Sequence, residues 1–144
     1  MKEKNIDKYK FFIFENKFNL TSYLTEYISN KIKTSLTFND RFKFCVCGGS
    51  TPRGIYEKLS NFDLSWQNVD IFLGDERCVD PLSDESNTNM LKNSLLKNYA
   101  SKAFFCEVFK NKDLNDDLAK QQYLNTLKEK LDGNPPIFDL TLLG

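Results

Sequence analysis

With 144 residues, the chain has the length of one domain, and its 40% apolar content suits a packed core rather than a disordered chain. Lys+Arg and Asp+Glu each total 20; this neutral balance lacks the basic excess of proteins that work on nucleic acid or an anionic membrane, so neither is expected as a partner. The opening MKEKNIDKYK is too charged for a signal peptide and no run reaches membrane-span length, which leads to the expectation of a cytoplasmic protein.

Taken in chain order, five short apolar runs alternate with helical patterns. The first strand is expected at Lys10–Phe14. A helix follows at Leu20–Ser35, with Leu20, Leu24, Tyr27, Ile28 and Ile32 on one face. Phe42–Cys47 reads as the second strand, Pro52–Leu59 as a short helix and Val69–Leu73 as the third strand. Asn87–Leu96 shows Met90, Leu91, Leu95 and Leu96 at helical spacing, Ala103–Phe109 reads as a strand, and Asp113–Leu131 carries leucines at 114, 118, 124, 127 and 131. A turn sequence from Asp132 to Pro136 stops that helix before a last strand at Phe138–Leu143. This alternation predicts an α/β domain: a Rossmann-like, open, largely parallel sheet with helices on both faces. The four cysteines do not match a zinc spacing in a chain without histidine, so reduced thiols are expected, mostly in the core.

In open sheets of this kind, ligands bind beyond the carboxyl ends of the strands. After the second strand the chain reads Gly48-Gly49-Ser50-Thr51-Pro52-Arg53-Gly54. Two glycines let the backbone turn and approach a ligand, Thr51 suits a helix N-cap, and Pro52 suits the first helical position. The free N–H groups there would cradle a phosphate, although the same residues also suit a tight turn with no ligand. Neither a P-loop nor a dinucleotide fingerprint is present, which argues against ATP and NAD.

After the third strand come Gly74-Asp75-Glu76-Arg77-Cys78-Val79 and then Ser86-Asn87. Only three arginines, Arg41, Arg53 and Arg77, stand against 17 lysines, and two of the three fall in these two loops. That placement favours a need for the planar fork that grips phosphate or carboxylate. The plainer alternative is a solvated turn in which Arg77 pairs with Asp75 or Glu76, with Ser86 and Asn87 as helix caps.

In order, FKFCVCGGSTPRGIYEKL, WQNVDIFLGDERCVDPLSDESN and FDLTLLG resemble the 6-phosphogluconolactonase family, from about Phe42 to Gly144. The glycine loop is shared with sugar-phosphate isomerases and deaminases of the same superfamily. Arg77 is more specific, because the deaminase loop resembles Asp-Glu-Tyr. The resemblance implies hydrolysis of 6-phosphoglucono-1,5-lactone to 6-phosphogluconate in the oxidative pentose phosphate pathway. It implies no redox cofactor or metal, and coupling with, or fusion to, glucose-6-phosphate dehydrogenase. By the same resemblance, Gly48, Gly49, Ser50 and Thr51 line the substrate pocket near the phosphate. Asp75 and Arg77 frame the reacting site, and Asn87 supports the loop or touches the sugar. In the family, the last strand runs into Gly-x-Asp-Gly-His, whose histidine is the general base. This chain ends at Gly144 without any histidine, so the expectation is the N-terminal part of a lactonase domain, incomplete at the C-terminus and weak in activity by itself. The rival readings are a glucosamine-6-phosphate deaminase or isomerase and a non-catalytic sugar-phosphate-binding remnant.

Overall fold

A computed structural model describes residues 1–110, 115–133 and 135–143. Two strands at its centre, β3 (Phe42–Val46) and β4 (Val69–Leu73), pair in parallel with Phe42 opposite Val69 and Val46 opposite Leu73. Both are almost wholly buried, as near-continuous apolar runs in a parallel sheet should be. The edge strands β5 (Phe104–Cys106) and β6 (Leu140–Thr141) complete the order β5-β4-β3-β6, all parallel. Both are shorter than the runs that announce them. Around β6, however, the pairing extends through Asp139 N–H to the Lys43 carbonyl and Leu142 N–H to the Cys45 carbonyl.

The helices cover both faces, as expected. On one face α1 (Lys17–Ser35), α2 (Ser50–Leu59) and α3 (Asn87–Ser94) enclose the larger core, in which Phe42, Phe44, Val46, Val69, Ile71 and Leu73 meet Ile28, Ile55, Tyr56 and Leu91. On the other face α4 (Asp116–Lys130) brings Tyr123 and Leu127 against Phe72 and Cys106. Its expected first positions, 113 and 114, lie outside the described residues. The buried stripe of α1 differs from the expected one: Thr21, Thr25 and Ser29 are buried beside Ile28 and Ile32, while Tyr27 is exposed. Small residues let α1 approach α2 closely, and a Cβ added at Gly54 would lie 3.8 Å from Thr21 Cγ2. The Thr25 hydroxyl is satisfied by donating to the Thr21 carbonyl.

The expected first strand needs correction. β1 (Lys2–Ile6) and β2 (Tyr9–Ile13) form a separate antiparallel hairpin, turned through Asp7 at φ 51°, and do not join the parallel sheet. The hairpin rests on α1 through Phe12 and Phe14, each against Tyr23. Its exposed residues leave no inside-outside alternation for a sequence pattern to reveal.

One charge lies deep in the sheet. Asp70 in β4 is fully buried and receives both Nε and Nη2 of Arg41, the first of these at 2.6 Å. The planar fork satisfies both carboxylate oxygens and holds Arg41 more firmly protonated than usual. Removing the partner strands a buried carboxylate, so Arg41→Met should destabilise the fold by about 2–4 kcal/mol, at the lower end because the guanidinium is partly exposed. The double variant R41M/D70L should recover most of that loss in chemical denaturation.

Candidate active site

β3 delivers its carboxyl end into Cys47-Gly48-Gly49. The Tyr56 hydroxyl, on α2, donates to the Cys47 carbonyl at 2.9 Å and accepts from the Cys47 N–H at 3.3 Å, fixing helix and loop to each other. Gly49 then turns at φ 113°, ψ 165°, a conformation essentially restricted to glycine. That turn starts α2 earlier than expected. Gly49, not Thr51, is the N-cap; Ser50 is the first helical residue and Pro52 the third, where its missing N–H still costs nothing. Among the described residues no side chain caps the helix, which leaves the leading N–H groups of Gly49, Ser50 and Thr51 available to an anion.

The loop after β4 has a different logic. Glu76 Oε1 accepts from the N–H groups of Arg77 and Asn87, and Oε2 accepts from Thr88 N–H and Ser86 hydroxyl. The carboxylate thus plugs the start of α3, where negative charge is favoured by the helix dipole, and Ser86 is the N-cap through its bond from Asn89 N–H. Sequence reasoning missed this role; the signal was a glutamate ten residues ahead of a Ser-Asn helix start. Asn87 reaches backward, its Nδ2 donating to the Asp75 carbonyl at 3.1 Å. Its carboxamide fills the space that a Cβ on Gly48 would need.

Between these loops lies a hollow of about 350 Å³. Gly49, Ser50 and Arg53 form one wall, Arg77 another, and Asp84, Glu85, Asn87 and neighbouring residues of α3 the third. Of the residues singled out in the sequence, Gly49, Ser50, Arg77 and Asn87 therefore meet there. Gly48 stands behind Asn87 and Thr51 is exposed outside the lining. Asp75 instead lines a separate hollow of about 400 Å³, with Cys78, Asp116 and Tyr123. The ion pair between Arg77 and Asp75 or Glu76 is not formed: among the described residues neither Arg53 nor Arg77 joins a salt bridge. Burial pushes the Cys45 and Cys106 thiols up, and the hydrogen bond to Asp116 does the same for Cys78. None of these three resembles an activated nucleophile.

The order of the sheet bears on this placement. The chain steps from β3 to β4 and β5 on one side and returns to β6 on the other, so β3 is the switch strand whose following loop borders the ligand crevice in open α/β sheets. Residues 15–144 match the family model described as glucosamine-6-phosphate isomerases/6-phosphogluconolactonase. The chain belongs to this family. A 6-phosphogluconolactonase from Helicobacter pylori is 34% identical over 117 residues, covering 81% of this chain and 52% of that protein. One from Nostoc is 31% identical over 120 residues, covering 81% and 50%. Among solved structures, a 6-phosphogluconolactonase from Shewanella baltica aligns with TM-score 0.74 at 27% identity, covering 81% of this chain and 50% of that one. The Thermotoga maritima 6-phosphogluconolactonase gives 0.75 at 26%, covering 90% and 56%. The chain thus spans about half the length of the relatives it matches.

Gly48 is not in the left-handed region, so Gly48→Ala tests the close approach alone. It should cost about 1–3 kcal/mol by overpacking, and adding Asn87→Ala should return part of that loss in a double-mutant cycle. A second expectation concerns alkali. Burial holds the Tyr56 phenol far above its ordinary value, so its contribution to stability is intact below pH ~10 and is lost as pH rises beyond that. Denaturation at stepped pH should show Tyr56→Phe flattening that decline, at a cost of about 1 kcal/mol near neutrality.

Proposed function

We propose that residues 1–144 form one α/β unit of a longer 6-phosphogluconolactonase domain, contributing the sugar-phosphate-binding part of its active site. The hollow shared by the Gly49 turn and Arg77 carries this reading, together with relatives named for that activity. Arg77 also favours a lactonase over the isomerase and deaminase members of the family. In this reading the phosphate lies against the free N–H groups at Gly49, Ser50 and Thr51, and Gly48 and Asn87 hold the two loops at the right separation. Arg77 borders the acyl centre, while Asp75, which lines a separate hollow, contributes its carbonyl to the Asn87 anchor. Functional coupling to the dehydrogenase that makes the lactone follows from the reaction order.

Lactone hydrolysis needs an activated water, donors for the tetrahedral oxyanion and a grip that positions the ring. The chain provides the grip. It has no histidine, and Glu76, with both oxygens engaged by Arg77, Ser86, Asn87 and Thr88, is occupied as a helix clamp. The family resemblance assigns the general base to the histidine of Gly-x-Asp-Gly-His, in the part of the relatives' length that this chain does not span. The 144 residues alone should hydrolyse the lactone about 10²–10⁴ times more slowly than the Helicobacter pylori relative assayed in parallel. Rates are read after subtracting spontaneous hydrolysis, and a rate within tenfold of the relative would show the base to be misplaced.

A further inference from the structure

The N-terminal hairpin leaves two strand edges open, and the two are guarded differently. Among the described residues β1 and β2 pair only with each other, and the family match begins at residue 15, so the hairpin lies ahead of it. Its turn consists of Asp7 and Lys8, so Ile6 and Tyr9 exchange both backbone bonds, as do Lys4 with Phe11 and Lys2 with Ile13. The N–H and C=O groups of Lys10 and Phe12 therefore point away from β1, and among the described residues no hydrogen bond reaches them. Side chains alternate across a strand. Phe12 and Phe14 lean on Tyr23 of α1, whereas Tyr9, Phe11 and Ile13 stand on the opposite face, 60%, 45% and 55% exposed.

β1 carries Lys2, Glu3 and Lys4, and lysine on an edge is a common defence against the addition of another strand. β2 has a single charge, Lys10, and Glu3 draws it across the hairpin toward β1 in an ion pair at 2.9 Å. We infer that β2 is a self-complementary edge that pairs antiparallel with β2 of a second copy of this chain, about a two-fold axis through Phe11. In that register Lys10 lies opposite Phe12 of the second copy, and the outward backbone groups of each such pair satisfy one another. Phe11 meets Phe11 at the axis, where side chains come closest because that pair is not hydrogen-bonded. Tyr9 meets Ile13 on either side, and aromatic and β-branched neighbours of this kind stabilise antiparallel strands. The same operation on β1 would set Lys4 directly against Lys4, like charge on like. The two-fold pairing closes on itself and leaves only the lysine-bearing edges outermost.

The test is sedimentation equilibrium of the 144-residue chain over a range of concentrations, with amide exchange read alongside. Self-association with a Kd of about 10–100 µM is expected, as suits a small interface. The amides of Lys10 and Phe12 should gain protection as concentration rises, while those of Glu3 and Asn5, on the β1 edge, should not. Phe11→Lys and Phe11→Glu each place like charges on the axis and should weaken association by about tenfold or more. An equimolar mixture of the two variants should restore it, which separates a broken contact from a hairpin that has failed to fold. A chain that stays monomeric at every concentration, a dimer that survives both variants, a mixture that stays dissociated, or protection gained at Glu3 and Asn5 instead overturns the proposal. Binding of a monomeric chain to phosphatidylserine vesicles likewise overturns it, and gives the apolar face, with Lys2 and Lys4 exposed beside it, to a lipid surface.

Discussion

The Asn87 carboxamide occupies the space beside Gly48 and donates to the carbonyl of Asp75. Through that one side chain, the loops that follow two neighbouring strands share an anchor at their closest approach. Glycine at position 48 leaves room for it, and Glu76 holds the helix that presents it by accepting from successive N–H groups. On the other side of the same loop the Tyr56 hydroxyl holds Cys47, just ahead of the Gly49 turn that lines the hollow.

Much of this was legible in the residues. Apolar runs at Phe42–Cys47 and Val69–Leu73 announced the two central strands because both are buried on both faces, where apolar side chains dominate and the one fully buried charge, Asp70, needs Arg41. The Gly-Gly turn announced the start of α2, although not its first residue: the positive φ of Gly49 lets Ser50 and Thr51 enter the helix. The rarity of arginine pointed to the loops that form the hollow, and Arg53 now belongs with Arg77. The hairpin was not legible, because a two-stranded unit exposed to solvent has no buried face to impose alternation. Nor was the role of Glu76, since a carboxylate that clamps a helix ten residues away looks, in sequence, like any charged loop residue.

The three arginines show how one side-chain chemistry serves two ends. Arg41, itself partly exposed, turns its fork inward, where both oxygens of a buried carboxylate need donors. Arg53 and Arg77 keep theirs available on the surface of a hollow. A lysine could supply the charge at any of the three positions, but not the paired, coplanar bonds. In a chain with 17 lysines, the few places where arginine appears therefore mark where geometry matters in addition to charge.

The N-terminal hairpin has a separate consequence. It is joined to the rest through stacked and tilted rings, Phe12 and Phe14 on Tyr23, and Tyr23 on Tyr27, while its ladder of backbone bonds closes on itself. Lifting it away breaks no pairing of the parallel sheet. It constitutes a small cooperative unit of its own, able to open and reclose at low free energy while the central strands stay protected. The amides of the hairpin ladder should therefore trade their protons for solvent deuterium ahead of those in β3 and β4.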